Sequence, residues 1–464
     1  MLQIISTFEK TIEMKKLLVL FFLASAVACS DRIIYVSGGQ IQGVTSQKRG
    51  VTVFRGIPYA APPVGQLRWR APETVKPWEG VRVCDSFGPI EWQPGNKPGT
   101  FYGDEFYWEG TPEQDEDCLY LNVWAPSKSI GRKGAKLPVA MWIHGGAFIN
   151  GYGYEVTMDG DEWASRGVIL VTINYRLGAM GYLSHPALTE EQGTSGNYGL
   201  LDQIAAIQWI RDNIAKFGGD PSNITIFGQS AGAMSVKNLL ISPLSRDLFS
   251  KAIIQSGGGL SIGIGPESIP PQNYFDEQGR ELMDFIGLNT LEDMRFEDVS
   301  AISDAPSRYA AEGDGWILLR PHPDGKVLTQ TFAQAVESGQ IADVPIMIGY
   351  NKDDMQQLAG ESVDRFCAVR DSLGGTVYEY EFLRELPTDS KHPGSDAGAF
   401  HSAELWYMFG TLSRSWRPFV DADYALSARM LDAWTSFCRT GDPGWPAYKH
   451  DAPYKQLFDI EPDN

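Results

Sequence analysis

The chain is poor in what would cross a bilayer, hold a metal or grip a polyanion. Its longest apolar run, Leu17 to Ala28, is well short of the ~20 residues that span a membrane. Lys and Arg number 39 against 58 Asp and Glu, a net charge of −19. That balance excludes a sequence-blind nucleic-acid binder, which needs clustered cations against phosphate. It also offers no surface for adsorption to anionic lipid. Only five Cys and six His occur, with no CxxC, no HExxH and no paired Cys/His cluster, so no metal site and no other cofactor is expected. Glycines such as Gly257-Gly258-Gly259 and Gly263-Ile264-Gly265 do not complete a G-x-G-x-x-G, which removes a dinucleotide site. What is plentiful is apolar material: 43% hydrophobic residues and 13 Trp exclude a disordered acidic chain.

The N-terminus reads as an export signal. Met14-Lys15-Lys16 precedes the apolar run, which ends Ala26-Val27-Ala28-Cys29. Glu9 and Glu13 do not suit the basic end of a signal, so translation is expected to start at Met14. The expected organisation is a signal over residues 1–28 and one domain over 29–464. Cys29 offers two outcomes: lipidation, which would tether the protein through its acyl chains, or cleavage after Ala28 and release. Either way the protein is expected outside a bacterial cytoplasm, as a periplasmic or membrane-anchored lipoprotein or as a secreted protein, and as a monomer or weak oligomer.

Short strands with Gly-rich turns are expected from about Ile33 to Phe54. Apolar runs of strand length follow at Val139 to Ile143, Val168 to Ile173, Ile224 to Phe227, Ala252 to Ile254 and Val344 to Ile348. Runs apolar throughout suit strands covered on both faces of a mainly parallel sheet. Leu200, Ile204, Ile207, Ile210, Ile214 and Phe217 share one helical face, and Gly218-Gly219 stops that helix. Val377 to Phe382 alternates and reads as a half-exposed strand. Strands alternating with helices imply an α/β fold, doubly wound around a mainly parallel sheet.

The sharpest chemical motif is Gly228-Gln229-Ser230-Ala231-Gly232, between a strand and the helical run Ala233 to Leu240. Small residues permit a tight strand-to-helix turn that lifts the hydroxyl out at the carboxyl edge of the sheet. The helix N-terminus behind it favours developing negative charge. A second motif, His144-Gly145-Gly146-Ala147-Phe148, also leaves a strand end, and its glycines let backbone N–H groups turn toward a ligand. Together the two turns make a nucleophile beside an oxyanion site.

The base follows by elimination among six histidines. His144 belongs to the oxyanion turn; His185, His322 and His392 each precede Pro in loops; His450 lies near the C-terminus. His401 remains. Asp353 and Asp354 follow the strand ending at Ile348 and supply the acid between Ser230 and His401, and spacing does not choose between them. Aromatic clusters such as Phe101-Tyr102, Phe106-Tyr107-Trp108 and Trp406-Tyr407 read first as core and second as pocket lining.

These residues together resemble the type-B carboxylesterase/cholinesterase-like family of α/β-hydrolases. The stretch Phe217 to Gly232 fits the family's nucleophile signature, and Glu116-Asp117-Cys118-Leu119-Tyr120-Leu121-Asn122-Val123-Trp124-Ala125-Pro126 fits its second signature. Arg55-Gly56-Ile57-Pro58-Tyr59, Asn174-Tyr175-Arg176-Leu177-Gly178 and Gly196-Asn197-Tyr198-Gly199 continue the match. The resemblance implies an α/β-hydrolase fold and a serine carboxylic-ester hydrolase working through an acyl-enzyme on a small-molecule ester, and the acidic surface points to a neutral or hydrophobic one. It places the acid at Asp354, where the family usually has Glu followed by Gly; here Met355 follows. It matches Gly146, Ala147 and Ala231 to the oxyanion donors and Ser256 to a buried Ser that supports the acid.

Two departures accompany the resemblance. Phe87-Gly88-Pro89 leads to no Cys, so Cys118 either is free or pairs with Cys84 just upstream. The short connection from Asp354 to His401 implies a reduced cap and a more open site than in relatives. Cys438, in a helical-looking run, reads as an inert core residue. Amide or lactone hydrolysis would use the same machinery, and a non-catalytic binding protein of this family would lack the nucleophile that is present here.

Overall fold

A computed structural model describes residues 33–95, 99–260, 269–313, 315–355, 360–392 and 394–460. The expected signal, Met14 and Cys29 lie outside the described residues. The strands are β1 (Ile33–Val36), β2 (Gly39–Gln42), β3 (Val44–Thr45), β4 (Val51–Pro58), β5 (Val81–Val83), β6 (Tyr120–Pro126) and β7 (Leu137–Ile143). They continue with β8 (Ile169–Ile173), β9 (Gly219–Gln229), β10 (Lys251–Gln255), β11 (Ile346–Asn351), β12 (Val377–Phe382) and β13 (Lys455–Phe458).

Ten of them form one sheet in the order β13-β12-β11-β10-β9-β7-β8-β6-β4-β3, while β1, β2 and β5 make a small separate sheet. Pairing is parallel from β8 through β7 to β13 and antiparallel at the β8-β6-β4-β3 end. Side chains alternate across the central strands, so each strand serves two cores. Val139, Met141 and Ile143 of β7 enter one core with Ile224 and Ile226 of β9, whereas Ala140, Trp142 and Phe227 enter the other.

Helices close both faces. Tyr198–Asn213 places Leu200, Ile207 and Ile210 in the first core and passes into a 3-10 turn that Gly218 ends at φ 91°. Asp421–Thr440 places Leu426, Met430, Trp434 and Phe437 in the second. Strand β12 is buried on both faces rather than half-exposed, because β13 pairs beyond it and that same long helix covers it. A third apolar cluster, with Phe148, Met180, Met234, Leu282, Ile302 and Leu319, joins the sheet to the helices Gln272–Phe285 and Val299–Ala311. All the chemistry-bearing turns leave the carboxyl ends of β7, β9 and β11, where open α/β sheets form their ligand crevices.

Candidate active site

Strand β9 ends at Gln229 and the helix Ala231–Ile241 starts two residues later, so Ser230 must reverse the chain alone. It does so at φ 56° and ψ −124°, a conformation that L-residues adopt only under constraint. The flanking glycines supply the constraint. A Cβ on Gly232 would stand 2.0 Å from Ile143 O, and one on Gly228 would stand 2.6 Å from Gly232 O. Ser230 N donates to Gln255 O at 2.9 Å, tying the turn to β10.

The turn after β7 wraps against this one. Gly146, Ala147 and Phe148 all lie at positive φ, 104°, 54° and 66°. Ile149 N and Asn150 N both donate to Gly146 O at 3.0 Å, and Gly178 N donates to Phe148 O at 2.7 Å. Among the described residues the N–H groups of Gly146 and Ala147 have no hydrogen-bond acceptor. Ala231 N–H, in the first position of its helix, is one of that helix's orphan donors. His144 is structural: its ring stacks on Tyr175 at 4.4 Å and burial pushes it down to about 4, so it stays neutral.

The geometry separates the two acids that spacing could not. Asp354 Oδ1 lies 2.6 Å from His401 Nδ1, with the Asp354 side chain fully buried. Asp353 turns away, and its Oδ2 accepts from Ala399 N at 2.8 Å while its backbone bridges Phe400. One acid therefore faces the imidazole and its neighbour holds the histidine loop. Behind them Asn351 Nδ2 donates to Phe400 O at 2.8 Å and to Glu404 Oε2 at 2.6 Å. Burial pushes the Glu404 carboxyl up, and the Asp354 charge adds to this.

On the far side of the ring, Gln229 Nε2 lies 3.2 Å from His401 Nε2. Ser230, itself 7% exposed, makes no hydrogen bond to the imidazole among the described residues. Motif reading assigns no role to Asn351, Glu404 or Gln229. Glu404, three residues after His401 in a mostly apolar stretch, was the only one to leave a signal.

One sequence expectation finds no support in the geometry, and one open alternative is settled. Among the described residues the buried Ser256 Oγ has no hydrogen-bond partner, so no bond from it to the acid is formed; its N–H donates to Gly349 O at 2.8 Å. The Asp354 carboxylate instead accepts from Met355 N at 2.9 Å and from Asn351 N at 3.5 Å. Cys84 and Cys118 do not pair; both are free and buried. Cys118 Sγ donates to Glu91 Oε2 at 3.5 Å and Cys84 Sγ to Arg82 O at 3.8 Å, so each thiol already has an acceptor. Burial pushes the Cys84 thiol up to about 12 and the Cys118 thiol well up from its ordinary value.

A cavity of about 280 Å³ opens beside the oxyanion turn at Ala147 and Phe148, walled largely by Trp92, Ile149, Met234, Trp316 and Leu319. Lys237 stands in its wall, buried, donating to Gly257 O at 3.0 Å, with its ammonium pushed down to about 7 by burial. The aromatic clusters divide. Trp406 and Tyr407 are core, while Tyr102 donates its hydroxyl to the His401 carbonyl at 3.2 Å. No group of His, Cys, Asp and Glu among the described residues is arranged to hold a metal ion.

Comparison with known proteins identifies the family of the chain. The carboxylesterase family model matches residues 30–372 and 360–463. Para-nitrobenzyl esterase of Bacillus subtilis (strain 168) is 32% identical over 93% of this chain and 96% of its own length. Phenmedipham hydrolase of Pseudarthrobacter oxydans is 31% identical over 91% and 94%. A solved para-nitrobenzyl esterase superposes with a TM-score of 0.80 at 29% identity, over 92% of this chain and 96% of that one. The chain belongs to the carboxylesterase family, with its α/β-hydrolase fold and its serine ester-hydrolase activity.

Proposed function

We propose that Ser230 is the nucleophile, His401 the general base and acid, and Asp354 the acid that orients it. The observation that carries this is the 2.6 Å contact of Asp354 with His401 Nδ1, beside a nucleophile turn at φ 56°. Asp354 keeps the ring proton on Nδ1, which leaves a lone pair on Nε2. Nε2 takes the Ser230 proton as Oγ bonds to the ester carbonyl carbon. The carbonyl oxygen becomes an oxyanion, met by the N–H groups of Gly146, Ala147 and Ala231. Losing one such donor typically costs ~10²–10³ in rate. His401 then protonates the departing alcohol, and the ester C–O bond breaks to leave acyl-Ser230. Water, giving a proton to Nε2, hydrolyses that acyl bond and releases the acid.

The apolar cavity wall supports neutral or hydrophobic esters, and the short connection between acid and histidine supports bulky ones. Rates of p-nitrophenyl acetate hydrolysis test the triad. Ser230→Ala should keep under ~1% of wild-type kcat, since such nucleophiles normally account for orders of magnitude, and a higher residue overturns the assignment. We further propose export through residues 1–28 with lipid on Cys29. Azido-fatty-acid labelling that is equal in wild type and Cys29→Ser would end the lipid part.

A further inference from the structure

The ester-hydrolysis scheme asks nothing of Gln229, yet its carboxamide reaches the one imidazole nitrogen that the scheme must use. Asp354 Oδ1 at 2.6 Å fixes the ring proton on Nδ1, so Nε2 is the lone-pair nitrogen. Gln229 Nε2, 3.2 Å away, can only donate, and the bond runs from the amide to the ring. Gln229 is 3% exposed, so its amide has little water to turn to. Its other end lies against the oxyanion turn: a Cβ on Gly145 would stand 3.1 Å from Gln229 Oε1 and 3.1 Å from Ser230 Cβ. The carboxamide thus bridges the oxyanion turn and the imidazole alongside the nucleophile.

We propose that Gln229 is a positioning residue that caps the His401 lone pair in the resting enzyme and so helps set the pH at which His401 becomes a base. The proposal rests on the triad reading above. One lone pair accepts one strong hydrogen bond, so Ser230 O–H replaces Gln229 N–H as proton transfer begins. The amide stabilises the neutral ring. A proton on Nε2 would set donor against donor and force the buried carboxamide to rotate, which opposes protonation.

Among the described residues three other groups face His401. Asp354 comes from the loop after β11, Glu404 from the ring's own turn, and Tyr102 from the helix Phe101–Phe106. All three stay the same in every Gln229 variant, so differences among the variants report on position 229.

The test compares wild type, Gln229→Met and Gln229→Glu. Met has similar length without a donor; Glu places an acceptor with a negative charge at Nε2. The acidic limb of kcat/KM on p-nitrophenyl acetate should have a midpoint that rises in the order wild type, Met, Glu. The Glu variant should lie about one pH unit or more above wild type, as a neighbouring opposite charge shifts such groups by roughly 1–3 units. The ¹⁵N resonances of His401, assigned by their loss in His401→Gln, should titrate with the same order without any turnover. A Met midpoint at or below wild type overturns the proposal, as does a Glu midpoint within about 0.3 of it. Should the Glu variant fail to fold, the sign of the Met shift decides. The triad reading fails by a separate route, if Ser230→Ala or His401→Gln keeps more than ~1% of activity.

Discussion

Replacing Asp354 by Asn removes one charge and almost no volume, and the structure sets the cost. The Asp354 side chain is fully buried and lies 2.6 Å from His401 Nδ1. On the proposed mechanism the ring becomes an imidazolium in the transition state, so the carboxylate would then interact with a full positive charge. At ~4 Å between charge centres and an effective dielectric of about 20, that attraction is about 4 kcal/mol. Each 1.36 kcal/mol is tenfold, so the charge alone accounts for ~10³ in kcat. Asn adds a second fault. Its N–H₂ can donate to Nδ1, which drives the ring proton to Nε2 and leaves no base toward Ser230. The expected loss is ~10³–10⁴ in kcat with KM little changed, because Asp354 touches no part of the ester. Asp353→Asn is the control. Its one bond, from Ala399 N at 2.8 Å, can be kept by the Asn oxygen, so the loss should stay under ~10-fold. Steady-state and burst kinetics on p-nitrophenyl esters measure both. The reasoning fails if Asp354→Asn stays within tenfold of wild type, or if Asp353→Asn costs more.

Two further expectations concern stability. Burial raises the Glu155 carboxyl to about 7, with bonds from Tyr107 Oη at 2.9 Å and Tyr152 N at 3.2 Å opposing it. The folded state then holds a proton that the unfolded chain gives up near 4.5, so Glu155 favours folding at low pH and this is lost as pH rises toward 7. Glu155→Gln should gain on wild type across that window, by up to about 3 kcal/mol above pH 7, in urea titrations at pH 5 and pH 8; an equal gain at both pH values refutes it. Glu105 holds Arg417 with both partners at most 1% exposed and also takes Trp406 Nε1 at 2.9 Å. Glu105→Leu strands a buried guanidinium and should cost about 3–5 kcal/mol in the urea midpoint at unchanged slope; a loss under ~1 kcal/mol contradicts it.

Much of the architecture was legible because the central strands have no solvent face. Val139 to Ile143 and Ile224 to Phe227 are apolar throughout, and both cores claim their alternate side chains. The same logic misjudged Val377 to Phe382. Its Tyr and Glu residues alternate like a half-exposed strand, yet Glu379 is buried against Lys455 of β13 at 2.9 Å. A polar residue bought by a partner from the end of the chain looks, in sequence, like one facing water. The free thiols of Cys84 and Cys118 carry the same lesson, since neither Glu91 nor the Arg82 carbonyl is visible as an acceptor before the chain folds.

In the site the division follows the backbone. The tight turns at Ser230, Gly146 and Ala147 could be read because positive φ and close approach demand Gly or small neighbours, and that demand is written locally as Gly228, Gly232 and Gly145. Spacing alone narrowed the acid only to Asp353 and Asp354, because adjacent acids differ in where they point and not in what they are; the family resemblance was needed to single out Asp354. Gln229, Asn351 and Glu404 left little trace. Their positions require no special φ and no small side chain, only a partner brought from another strand or loop. Turn chemistry thus locates the two tight turns in sequence, while the groups around the His401 imidazole emerge only once β9, β11 and the His401 loop converge.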